Sequence, residues 1–112
     1  MATKRVAVHT GGDNIFAELG LADADSHFLK AKIVAELYRL TTDRKLTQAQ
    51  AGELMGISQP EVSRLFKGTF REYSVDRLMV FLTAFNTDVD IVVRPRASAE
   101  GRGQITFSPA GS

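Results

Sequence analysis

Apolar residues recur every three or four positions through most of the chain. Between Ser26 and about Thr42 they form one stripe, which consists of Leu29, Ile33, Leu37 and Leu40. Because this spacing puts the four side chains on one helical face, it predicts an amphipathic helix capped by Ser26. A second stripe predicts a helix that begins at Ser74 and contains Val75, Leu78, Met79, Leu82 and Phe85.

Three shorter helices are predicted from their capping residues and stop signals. The first covers residues 13–20, with Asp13 at its start and Gly20 at its end. Two more begin where a Ser or Thr is followed three positions later by Gln or Glu, the spacing of a capping box. These boxes are Thr47 with Gln50 and Ser58 with Glu61. Glycines at positions 56 and 68 are the expected ends of these two helices. Together with the two longer helices, the predicted total is five.

The last regular element is a predicted β-strand from Asp88 to Arg94. There the apolar period changes to two, with one face formed by Val89, Ile91 and Val93. The chain offers this strand only one candidate partner, the short stretch from Ile105 to Phe107. An unpaired strand edge favours pairing with a second copy, so the strand predicts a homodimer, with a hairpin to the tail as the alternative.

These elements predict one domain with short extensions. Residues 1–12 are expected to be a flexible N-terminal segment, residues 13–96 the folded domain, and residues 97–112 a mobile tail or a weak hairpin strand. A length of 112 residues suits one domain with its own core.

Composition excludes several classes of protein. The hydrophobic share of 44% and charged share of 24% are typical of a globular protein, and no stretch has the apolar length that a bilayer needs. We therefore expect no membrane association and a cytoplasmic location. Cysteine is absent and the two histidines, His9 and His27, are isolated, so the sequence predicts no metal site, no cofactor and no enzymatic activity.

The two short helices around Gly56 carry the functional prediction. Gly52 lies where two closely crossing helices would meet, and Gly56 suits a tight turn between them. The apolar residues of the pair would then face inward: Met55, Ile57, Val62 and Leu65. This is the pattern of a helix-turn-helix, in which the second helix enters the major groove of DNA.

The remaining side chains of the second helix and its surroundings suit double-stranded DNA. Those predicted to contact bases are Gln59, Pro60, Ser63 and Arg64. Arginine pairs with guanine and glutamine with adenine, while proline offers an apolar contact to a thymine methyl group. Those predicted to contact phosphates are Arg44, Lys45, Gln48, Ser58, Lys67 and Arg71.

Three stretches of this region resemble the XRE, or Cro/C1-type, helix-turn-helix family. They are Leu46–Gln48, Gly56–Gln59 and Val62–Leu65. The resemblance implies a mainly α, five-helix, lambda-repressor-like DNA-binding domain, here followed by a C-terminal strand. It also implies that Gln48 contacts phosphate and that Gln59 and Arg64 read bases.

From Asn14 to Arg96 the layout is similar to the HigA-like antitoxins of toxin-antitoxin operons. Outside the short helices, the similarity rests on Asn14–Leu21, Phe70–Ser74, Arg77–Met79 and Asp88–Arg96. It implies a repressor of its own operon that also binds a cognate toxin. A stand-alone XRE-type regulator and a protein-binding module with little DNA binding are the alternatives.

Overall fold

The computed structural model describes residues 4–7, 23–98 and 101–110 of the chain. Within them the elements are β1 (Lys4–Ala7), α1 (Asp23–Asp43), α2 (Gln48–Met55), α3 (Gln59–Phe66), α4 (Val75–Thr83) and β2 (Asp90–Val93). The mainly helical class is confirmed. The predicted count of five helices is not matched, because the described residues contain four and the expected helix over residues 13–20 lies outside them.

Helix α1 is the longest element and supplies one wall of the core. It begins at Asp23, three residues before the predicted cap at Ser26. The predicted stripe faces inward, because Leu29, Ile33, Leu37 and Leu40 are all buried. Close by, the Thr41 hydroxyl donates a 2.8 Å hydrogen bond to the Leu37 carbonyl, which satisfies a buried polar group within the helix itself.

The core lies where α1 packs against α3 and α4. Its most completely buried side chains are Ile33 and Leu37 from α1, Val62 and Leu65 from α3, and Leu78 and Phe85 in and after α4. Burying a side chain of this kind contributes about 1.5–3 kcal/mol. These contacts fix the position of α3, which is the element predicted to meet DNA.

The two strands form an antiparallel pair, with Val6 opposite Ile91. β2 therefore has a partner that the sequence analysis did not consider and does not pair with the tail, whereas pairing of its outer edge with a second copy stays a prediction. The residues of Ile105–Phe107 are not in a strand, although Phe107 packs against the core. Part of the N-terminal segment expected to be flexible thus forms β1. Sequence analysis did not predict strand β1, because the strand is only four residues long and its partner lies far along the chain.

The residues predicted to form a dimer contact are not equally exposed. Val89 and Ile91 are half-buried, and Val89 packs against the helical core, whereas Val93 is 56% exposed.

Among the described residues, no helix combines the length and the apolar character needed to cross a membrane.

Candidate nucleic-acid interface

The first helix of the pair, α2, begins and ends as its sequence predicts. Thr47 is its N-cap: the Gln50 amide donates to the Thr47 hydroxyl at 3.1 Å, and the Thr47 amide donates to the Gln50 side chain at 2.8 Å. At the other end, Gly56 has a φ of 74°, in the left-handed region that glycine adopts without strain. The capping box and the glycine turn are both confirmed.

Gly52 is the point of closest approach between α2 and the segment that follows it. It is buried, and a Cβ atom at this position would lie 2.6 Å from the Ile57 carbonyl oxygen and 3.3 Å from a methyl group of Val62. The Gly52 carbonyl also accepts hydrogen bonds from the Gly56 and Ile57 amides, at 2.8 and 3.0 Å. The turn is therefore folded back onto α2 so closely that a side chain does not fit without a shift.

The second capping box fixes the start of α3. The Glu61 amide donates to the Ser58 hydroxyl at 3.3 Å, and the Ser58 amide donates to the Glu61 carboxylate at 3.4 Å. Pro60 lies in the first turn, where its missing amide hydrogen leaves no helical bond unmade. Both features agree with the prediction from the sequence.

A third residue, Tyr73, ties this capping box to the region before α4. Its hydroxyl donates a 3.1 Å hydrogen bond to the other carboxylate oxygen of Glu61. The hydrogen bond from the Ser58 backbone, followed by that from Tyr73, lowers the pKa of Glu61 below its ordinary value. Partial burial, together with the neighbouring carboxylate, raises the pKa of Tyr73. Sequence reasoning did not identify this contact, because its partners are twelve residues apart and on different elements.

The face of α3 opposite the core is polar and accessible. Val62 and Leu65 are fully buried, whereas Gln59, Pro60 and Arg64 are exposed. Ser63 is half-buried, and Lys67 is exposed at the C-terminal end of the helix. The four residues predicted to read bases therefore lie on a short amphipathic helix whose other face is locked into the core.

The side chains of Gln48 and Gln59 form a direct bridge between the starts of α2 and α3. Nε2 of Gln59 donates to Oε1 of Gln48 at 2.8 Å. A glutamine amide nitrogen carries two hydrogens, so Gln59 keeps one donor and its carbonyl acceptor. Those are the two groups that a bidentate contact with adenine requires.

The residues predicted to contact phosphate have different surroundings. Lys45, Ser58, Lys67 and Arg71 are exposed and Gln48 is half-buried. Arg44 is exposed as well, but its guanidinium donates to the Phe85 carbonyl and lies 5.9 Å from the centre of the Phe85 ring. The structure thus gives Arg44 a contact that holds the loop after α1 to the end of α4.

An open groove of about 610 Å³ lies beside α3. We call it the arginine groove, and its charged and aromatic lining consists of Glu61, Arg64, Arg71, Glu72, Tyr73 and Arg77. The sequence did not single out Tyr73 or Arg77 as functional residues. Helical spacing could not have paired them, because Tyr73 precedes the helix and Ser74, its N-cap, has an extended backbone.

Comparison with known proteins agrees with this geometry. Residues 15–94 match the family model described as a helix-turn-helix domain. A solved chain assigned to the XRE family of transcriptional regulators superposes with a TM-score of 0.74 and is 32% identical, covering 80% of this chain and 100% of that one. A comparison with curated protein sequences finds no match. The chain therefore belongs to the XRE-type family of helix-turn-helix transcriptional regulators, a DNA-binding class.

Proposed function

We propose that this chain is a sequence-specific repressor that places α3 in the major groove of an operator. The observation that carries the proposal is the exposed polar face of α3, which is backed by the fully buried Val62 and Leu65. A helix held this firmly presents its side chains to base edges in a fixed register, as direct readout requires.

Each exposed residue of α3 has a chemical role in this proposal. Arg64 donates two hydrogen bonds to guanine, and Gln59 pairs with adenine while its second amide hydrogen remains on Gln48. Pro60 and Ser63 complete the base contacts. Lys45, Gln48, Ser58, Lys67 and Arg71 hold the backbone phosphates and set the orientation, and Arg44 would join them only after leaving Phe85.

The test is a double substitution, Gln59→Ala with Arg64→Ala, measured by mobility shift. The probes are the DNA upstream of the chain's own gene and duplexes selected from a random pool. The tail offers a matched control, Arg102→Ala with Gln104→Ala, because both residues are exposed and of the same types. The first variant should lose specific binding and keep its fold, whereas the control should bind like wild type. Unchanged operator affinity in the first variant would refute the assignment.

We further propose a two-fold homodimer formed through Val89, Ile91 and Val93. The sheet contains two strands in the described part of the chain, so each strand has an outer edge as well as a paired one. A dimer would present two copies of α3, which must be spaced by roughly 34 Å, one DNA turn, or a multiple of it. Solution mass after deletion of residues 95–112 provides the test. A dimer should persist, and a protein that is then only monomeric would contradict this interface.

We also propose, more specifically, that the chain is an antitoxin that binds a cognate toxin. It is supported by the resemblance that extends from Asn14 to Arg96, and by two large apolar side chains that α1 exposes, Phe28 at 65% and Tyr38 at 53%. Exposed aromatic residues of this kind are enriched at protein contacts. The test is co-expression with the product of the adjacent reading frame. We expect that product to arrest growth alone and to be neutralised by this chain in a stable complex.

Two results would redirect this proposal. A neighbouring product that neither arrests growth nor binds would favour a stand-alone XRE-type regulator. Neutralisation without operator binding would favour a protein-binding module that uses the same fold.

A further inference from the structure

The arginine groove contains a guanidinium that is held in place by aromatic rings. The Arg77 guanidinium carbon lies 4.9 Å from the centre of the Tyr73 ring and 5.5 Å from that of Phe81. These two rings contact each other edge to face at 5.7 Å. Cation–π contacts with two rings restrict the position of the guanidinium, and its N–H groups can still donate to another partner.

Arg77 is nevertheless exposed, and no ion pair within the described residues engages it. It shares the groove with Arg64, a proposed base-reading residue, so both face the same open space. An exposed arginine held by two aromatic rings beside α3 is thus available to an anion that arrives with the duplex.

The groove carries charges of both signs. Arg64, Arg71 and Arg77 contribute three positive charges, against the carboxylates of Glu61 and Glu72. The Glu61 carboxylate is already engaged, because it accepts hydrogen bonds from Ser58 and Tyr73. Glu72 is exposed at the rim, so the groove has a net positive charge with one acidic side chain that opposes an incoming anion.

We propose that the arginine groove binds a phosphate of the DNA backbone, with Arg77 as its principal ligand. Arginine binds phosphate oxygens through two parallel hydrogen bonds, and the two ring contacts reduce the freedom that Arg77 loses when it forms them. The inference rests on the proposed operator binding and adds a contact from α4, outside the helix pair. It makes Arg77 a residue for affinity and orientation, with no part in base choice.

The test measures how salt affects binding of Arg77→Gln. Loss of one phosphate contact lowers the slope of log K against log salt by about 0.9. The affinity ratio between wild type and variant should therefore shrink about 3-fold per bound protomer, and about 12-fold for the proposed dimer, when monovalent salt rises from about 50 to 200 mM. The affinity of the variant for operator and for non-specific duplexes should also fall by the same factor, because phosphates occur in every sequence.

Two variants separate this role from a purely structural one. Arg77→Lys keeps the charge and should keep most of the salt slope, while losing affinity because a lysine does not form the fork of two bonds. Glu72→Gln leaves the stacked rings untouched and should raise affinity for both duplexes. Arg102→Gln is the matched control, since it removes one exposed arginine in the tail and should leave the slope almost unchanged.

The outcomes distinguish the possible errors. If Arg77→Gln weakens only operator binding, or if its slope equals that of wild type, Arg77 is not a phosphate ligand, although the proposed function survives. If wild-type protein binds no duplex at all, the proposed function itself fails. A melting temperature that rises in inorganic phosphate, compared with chloride at equal ionic strength, combined with an unchanged slope for Arg77→Gln, would assign the groove to free phosphate and overturn the DNA assignment.

Discussion

At the scale of single residues, Gly52 determines how closely the turn approaches α2. Its missing side chain allows the Ile57 carbonyl to lie where a Cβ atom would otherwise be. Glycine in a helix interior costs about 1 kcal/mol relative to alanine, because it loses more backbone entropy on folding. Close packing of α2 against the turn and α3 offsets that cost. The same contact sets the position of α3 and of its exposed face.

The first prediction concerns this contact. Gly52→Val should lower the free energy of unfolding by about 3 kcal/mol, because the added carbons overlap a backbone carbonyl and the packed Val62. Ala49→Val is the matched control on the exposed side of α2, where the change costs only helix propensity, below about 0.7 kcal/mol. Urea unfolding measures both, and equal losses in the two variants would argue against a tight crossing at Gly52.

The second prediction concerns the Glu61 carboxylate. Its pKa is lowered in the folded state by hydrogen bonds from Ser58 and Tyr73, so its ionised form stabilises the fold. This stabilisation is complete above the ordinary glutamate pKa of about 4.3 and is lost as the pH falls through the lower, folded value. The change in melting temperature between pH 7 and pH 3 should therefore be smaller in Glu61→Gln than in wild type.

Glu53→Gln provides the comparison for that measurement, because Glu53 is exposed on α2. It should reproduce most of the wild-type acid sensitivity. Equal pH profiles for wild type and Glu61→Gln would mean that the carboxylate has no special role in capping α3.

At the scale of elements, α2 and α3 are each capped at the N-terminus by two reciprocal hydrogen bonds between the N-cap residue and the residue three positions later. Thr47 serves α2 and Ser58 serves α3. Isolated helices of eight residues are too short to be stable in water, so these caps and the buried face must supply their stability.

The third prediction follows from that dependence. Ser58→Ala should lower the free energy of unfolding by about 1 kcal/mol, since it removes the acceptor of the Glu61 amide. Ser108→Ala changes an exposed serine of the tail and should have almost no effect. Denaturant midpoints with unchanged slopes would report the difference, and a neutral Ser58→Ala would show that Glu61 and Tyr73 hold the helix start without the cap.

Sequence reasoning succeeded where the determining contacts are local. The caps at Thr47, Ser58 and Ser74 were predicted correctly because each cap and its partner lie three residues apart. The start of α1 was misjudged, because the helix continues through Ser26 to Asp23. The Gln48–Gln59 and Glu61–Tyr73 bonds were not predicted, since each joins different elements and requires the angle between them.

At the scale of the whole molecule, stability is distributed unevenly between the helical core and the small sheet. The core contains fully buried residues from three helices, whereas the sheet has two strands of four residues. On β2, Val92 and Val93 are exposed and Ile91 is only half-buried. A two-stranded sheet of this size is marginal without further packing.

The fourth prediction is a difference in amide hydrogen exchange. Amides of Asp90–Val93 should exchange much faster than those around Ile33 and Leu78, because the sheet can open without unfolding the core. Deletion of residues 1–7 should speed exchange in β2 further and leave the core amides protected. Protection of β2 equal to that of the core would mean that the sheet and the helices unfold as one unit.

The pairing of β1 with β2 also has a consequence for folding during synthesis, because the two strands lie far apart along the chain. Ala7 faces Asp90, so more than eighty residues must be added to the nascent chain before the first strand has its partner. At about 5–20 residues per second, this takes roughly 4–16 s, whereas a helix forms within about a microsecond. During synthesis, β1 therefore has no partner until all four described helices have been made, and the two strands can pair only after that.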